Sequence, residues 1–127
     1  MRHLKTFAAF CCFCLLFGCA RTVNILRTET EPVLLAEVSG PRLDAIKCVG
    51  LKMQSIPSFG LTNFEVTTDL LGIRVTGAGA EPFVVIDFDE GNDLLVAKVY
   101  IVDSSILRGR LLPHTKQSLL LCNANLR

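Results

Sequence analysis

Three groups of residues in this 127-residue chain are of types that do chemistry. Six cysteines stand at Cys11, Cys12, Cys14, Cys19, Cys48 and Cys122, the first four within FCCFCLLFGCA. A run of carboxylates, Asp87, Asp89, Glu90 and Asp93, surrounds Gly91 and Asn92. His114 is the one histidine beyond the N-terminal segment. Zinc would need thiolates or imidazoles spaced so that the chain can wrap the ion. Cys11, Cys12 and Cys14 sit among phenylalanine and leucine instead, where a free cysteine acts as a small hydrophobe. Asp87, Asp89 and Asp93 are the candidate ligands for a hard cation such as calcium. The EF-hand spacing fails, because glycine comes one residue early and no glutamate closes the loop at the twelfth position. In a strand, Asp87 and Asp89 share one face and Val84, Ile86 and Phe88 the other, which is ordinary hairpin patterning. A Ser-His-Asp relay would have to use His114, and no GxSxG elbow presents a serine to it. Gly77-Ala78-Gly79-Ala80-Glu81-Pro82 begins like a dinucleotide fingerprint, but Pro82 stands at the third glycine and a strand follows. The sequence therefore predicts no catalytic residue, no cofactor and no metal.

The remaining cysteine is placed by what precedes it. Arg2 and Lys5 form a positive start, and Thr6 to Gly18 is almost wholly apolar, the order found in secretory signal peptides. This run falls short of the roughly 20 apolar residues that span a bilayer. At its end, Leu16-Phe17-Gly18-Cys19 resembles the lipobox of bacterial lipoproteins. The resemblance implies cleavage after Gly18, a diacylglycerol on the Cys19 sulfur and an amide-linked acyl chain such as palmitate on the new N-terminus. Two or more chains are what stable anchoring takes, at about 0.8 kcal/mol per buried CH₂. Ala20 follows the cysteine, where aspartate would mark retention at the inner membrane, so the resemblance favours the periplasmic face of the outer membrane.

Residues 1–18 are thus expected to be a signal peptide and residues 19–32 a lipidated tether. As a flexible coil, the thirteen residues from Ala20 to Pro32 would reach about 20 Å. Residues 33–127 are expected to form a single β-rich domain. An exported chain meets an oxidising compartment, which makes Cys48 and Cys122 the candidate disulfide.

That domain reads mostly as strands. Val33 to Val38 ends at Ser39-Gly40-Pro41, and Ile46 to Met53 is compatible with a second strand. Phe83 to Phe88 and Leu94 to Val102 flank a polar, glycine-containing connection and predict a hairpin. Ile106 to Leu112 and Ser118 to Cys122 suggest a further pair around Pro113 to Lys116. Thr62-Asn63-Phe64-Glu65 has the form of a capping box with Gly72 as a stop signal, whereas Val66-Thr67-Thr68 favours a strand. The expectation is a mainly β fold, a small antiparallel sandwich or partly open barrel, with an α+β fold carrying one short helix near 62–71 as the alternative.

Charge narrows the partners. The chain carries 13 basic and 12 acidic residues, and Arg2 and Lys5 lie in the signal segment. The remainder, with 11 basic residues, is near neutral and lacks the basic surface that binds nucleic acid. Tryptophan is absent and Tyr100 is the one tyrosine, so no aromatic platform is built. The functional expectation is a non-catalytic, lipid-anchored envelope protein that serves as a structural or accessory binding subunit. Its partners would be the membrane and an envelope protein. A periplasmic enzyme inhibitor or a carrier of a small ligand or lipid is the alternative.

Overall fold

The computed structural model describes residues 23–55, 65–77, 81–91 and 94–127. Residues 1–18, expected as a signal peptide, Cys19, the capping-box residues Thr62, Asn63 and Phe64, and Asp93 lie outside the described residues. Among the described residues nine elements follow in order: α1 (Val23–Glu29), β1 (Leu34–Val38), α2 (Arg42–Gln54), β2 (Glu65–Thr68), β3 (Gly72–Thr76), β4 (Pro82–Glu90), β5 (Leu95–Ile101), α3 (Ser105–Leu121) and β6 (Ala124–Leu126).

The strands make one antiparallel sheet in the order β2-β3-β4-β5-β1-β6, which is not closed, so the fold is mainly β as expected. Its centre is the hairpin of β4 and β5, in register from Val84↔Ile101 to Glu90↔Leu95. Alternation along β4 sends Val84, Ile86 and Phe88 into the main core, all at 0 % exposure. Ala97, Val99 and Ile101 do the same from β5, and Ile73 and Val75 from β3. The segment with two readings resolves as strand where it is described: Val66, Thr67 and Thr68 lie in β2, paired with Val75, Arg74 and Ile73.

Two stretches expected as strands are helices. Ile46 to Met53 belongs to α2, whose buried residues Ala45, Ile46, Val49, Gly50 and Met53 recur at helical spacing. Gly50 lets this helix approach the sheet, since a Cβ there would stand 2.7 Å from the Thr68 methyl. The proposed pair Ile106–Leu112 and Ser118–Cys122 is the single helix α3, capped by the Ser104 side chain, which accepts from the Leu107 N–H. Pro113 and His114, expected in a turn, lie inside it. An interior proline costs a helix about 3 kcal/mol. Burial of Leu111, Thr115, Ser118 and Leu119 along one side offsets that cost, and the Thr115 hydroxyl donates to the Leu111 carbonyl at 2.8 Å. Both helices lie on the apolar face of the sheet.

The other face carries α1, formed by residues expected within the tether. Leu26, 3 % exposed, packs with Val85 and Val102, flanked by Phe83, Tyr100 and Leu107. A seven-residue helix is marginal alone, so this contact and the ion pair below hold it in place.

Candidate functional site

The Cys48–Cys122 pair is a disulfide, with Cα atoms 6.0 Å apart and a sequence separation of 74. It ties the middle of α2 to the residue that ends α3. The chain turns there through Asn123, at φ 61°, into β6. The thiols are therefore structural and hold the two covering helices together.

The carboxylates of β4 sit where alternation puts them, on the face that carries α1. Both are taken up by cations. Arg27 donates to Asp87 through two nitrogens, Nε to Oδ2 at 2.7 Å and Nη2 to Oδ1 at 2.5 Å. The pair is three-quarters or more buried, with side chains 24 % and 15 % exposed. Lys98, on the neighbouring strand, reaches Asp89 Oδ2 at 3.0 Å, and that hydrogen bond raises the lysine pKa. The two-point pairing of Arg27 with Asp87 fixes the guanidinium in one orientation, which the single Lys98 contact does not. Among the described residues, no three His, Cys, Asp or Glu side chains converge as a metal site.

Around that pair lies a cavity of about 280 Å³ lined by Arg27, Arg42, Leu71, Asp87 and Asp89. Arg42 opens α2, and its Nε is buried with no hydrogen-bond partner. Leu71 comes from the turn between β2 and β3. Asp69 builds this turn by accepting from the Leu71 N–H at 2.8 Å and the Gly72 N–H at 3.0 Å. Partial burial of Asp69 works against its ionisation, but those two N–H groups and the nearby Arg74 outweigh it and hold its pKa below the ordinary value. Gly72 is required here because a Cβ would fall 1.8 Å from the Ile86 carbonyl oxygen.

Chemically, the cavity offers two guanidinium groups and two carboxylates in near balance, a setting for polar binding. His114 cannot serve it. It belongs to α3, on the opposite side of the sheet from Asp87 and Asp89. A broader groove of about 430 Å³ runs along α3 beside Asp103, Arg108, Gly109, Leu112 and Pro113. Neither Arg27 nor Arg42 was expected to matter. Their role depends on two helices that periodicity alone does not reveal, one of them only seven residues long.

Leu94 to Val102, expected as half of a hairpin, supplies β5, which is bonded on both sides, to β4 and to β1, and so offers no free edge to a partner. The edges are β2 and β6. Comparison of the chain with protein-family models, curated proteins and solved structures finds no match.

Proposed function

We propose that this chain is a non-catalytic lipoprotein of the bacterial cell envelope, anchored through Cys19 and acting as a structural or accessory binding subunit. The observation that carries this reading is the order of Arg2 and Lys5, the apolar run to Gly18, and Leu16-Phe17-Gly18-Cys19 at its end. The disulfide supports it, since such bonds persist in exported proteins and are rare in reducing compartments. The periplasmic face of the outer membrane is the favoured location.

Binding to an envelope protein would use what the sheet leaves available. Among the described residues β2 and β6 each have one side without a sheet partner, and an extended segment of a partner protein adds to such an edge through main-chain hydrogen bonds. Intact-mass measurement of the chain extracted from membranes tests the anchor. It should show cleavage before Cys19 and the mass of a diacylglycerol and an acyl chain; an uncleaved N-terminus would overturn the reading. Crosslinking in intact cells followed by membrane pull-down should recover one envelope protein repeatedly. Recovery of none would remove the accessory role.

A further inference from the structure

Four charged side chains line the cavity of about 280 Å³, and three of them already have partners. Arg27 holds Asp87 through Nε and Nη2, and Lys98 reaches Asp89 at 3.0 Å. Arg42 is left over. Among the described residues it makes no ion pair. Its Nε is shut away from water without a hydrogen-bond partner, and a buried donor that lacks an acceptor is unfavourable. With Arg27 matched by Asp87 and Lys98 by Asp89, the site keeps one positive charge, that of Arg42.

The neighbouring pair shows what a guanidinium of this cavity binds. Asp87 covers the Nε–Nη2 edge of Arg27 with two carboxylate oxygens. Arg42 has the same edge with nothing on it. Rotation about its side-chain torsions turns that edge into the cavity, where an incoming carboxylate satisfies Nε and cancels the surplus charge in one step. A phosphate monoester, at about −1.5 to −2 charge, would exceed that surplus and repel Asp87 and Asp89.

The walls limit the rest of the ligand. The volume lies just below the roughly 300–1,000 Å³ of pockets that take drug-sized molecules. Leu71, 53 % exposed, is the apolar wall. Leu43, Leu70 and Leu94 are also exposed: Leu43 follows Arg42 in α2, Leu70 precedes Leu71 in the turn between β2 and β3, and Leu94 leads into β5. The pairings Thr68↔Ile73, Glu90↔Leu95 and Val38↔Leu95 put these connections at one end of the sheet. A short apolar body beside the carboxylate would cover leucine that otherwise meets water.

We infer that this cavity binds a small monocarboxylic acid with a short apolar body, its carboxylate on Arg42 and its carbon chain against Leu71. The inference goes beyond the envelope role and holds whether or not Cys19 is acylated.

Hexanoate serves as the probe. The full chain, labelled with ¹⁵N and ¹³C and purified with its native N-terminus, would be titrated at pH 7 with hexanoate, acetate, hexanol and hexyl methyl phosphate. Calorimetry would give the affinities, and nuclear magnetic resonance would follow the Arg42 Nε–H and Leu71 methyl signals. Hexanoate should bind one to one and move both signals. Acetate should bind about fivefold more weakly, having less carbon to cover, and hexanol should not bind. Arg42→Gln should weaken hexanoate about tenfold or more, and Arg42→Lys nearly as much, because an ammonium lacks the fork. Arg127→Gln removes a cation outside the cavity and should leave binding unchanged. The wild-type Arg42 signal keeps the test decisive if substitution at 42 unfolds the chain. Absence of hexanoate binding, or equal binding in Arg42→Gln, overturns the inference. Hexanol binding as tightly as hexanoate overturns it too, since apolar contact alone would then suffice. Tighter binding of hexyl methyl phosphate overturns the carboxylate assignment and gives the site to a phosphodiester. Intact mass of the same samples reports the anchor separately, so failure of either reading leaves the other standing.

Discussion

On one face of the sheet Val84, Ile86 and Phe88 are wholly buried beneath α2 and α3, and a disulfide locks those helices together. On the other face Asp87 and Asp89 alternate with them along the same strand, paired with Arg27 and Lys98. Glu37 of β1 continues this polar face and pairs with Arg127. One strand thus serves two solvents. The first face gains from apolar area removed from water and from shape, which tolerates no gap. The second gains little from each exposed pair, because water and salt screen them. Where α1 covers Asp87, the charge pair is more deeply buried than those at Asp69, Asp89 and Glu37, and there its loss should be felt.

Substitutions on the two faces should therefore differ in size. Phe88→Ala removes the largest fully buried side chain and should cost about 3–5 kcal/mol, read as a lower urea midpoint. A loss below about 1 kcal/mol would show that the packed face is not the main source of stability. Replacing both Cys48 and Cys122 by alanine should cost about 4 kcal/mol on the chain-entropy account, with equal loss in the wild type after reduction. Asp87→Asn leaves Arg27 without its fork partner and should cost about 1–2 kcal/mol. The loss should be local: amide exchange should rise in residues 25–30 before the strands are affected. If exchange rose equally in β3 and β4, α1 would be an integral part of the core and the contrast between faces would fail.

The smallest effect is acid sensitivity of the turn at Asp69. Its folded pKa lies below the ordinary 3.8, so the folded chain favours the ionised form. The contribution is present above that ordinary value and is lost as pH falls through the folded one. Nuclear magnetic resonance of the Leu71 and Gly72 amides should follow this titration, and Asp69→Asn should abolish it. Lys98→Ala, on the exposed pair with Asp89, should change stability by less than about 0.5 kcal/mol.

The hairpin of β4 and β5 was legible because its apolar residues fall at every second position and a glycine-bearing polar connection divides them. The cysteine pair was legible because Cys48 and Cys122 are the two thiols left beyond the N-terminal cluster. Arg27, Arg42 and Leu71 were not, since the cavity they line draws on two helix segments and a turn far apart in sequence. Ile46 to Met53, and Ile106 to Leu112 with Ser118 to Cys122, read as strands for a different reason and are helical. Gly50, Gly109 and Pro113 are helix-weakening residues, and local preference counts against them wherever they stand. Gly50 is there because Thr68 approaches it, a reason that exists only once helix and sheet have met.

By itself the sequence determined a basic start followed by an apolar run, a cysteine pair able to bond and a strand pattern with one apolar side. These follow from order, spacing and alternation, which are properties of neighbours along the chain. Tertiary structure decided that helices cover the apolar side, that β5 is central and β2 and β6 are edges, and that exposed leucines gather at one end. Such properties depend on which faces must be hidden from water together, and burial is shared between segments that the sequence keeps apart.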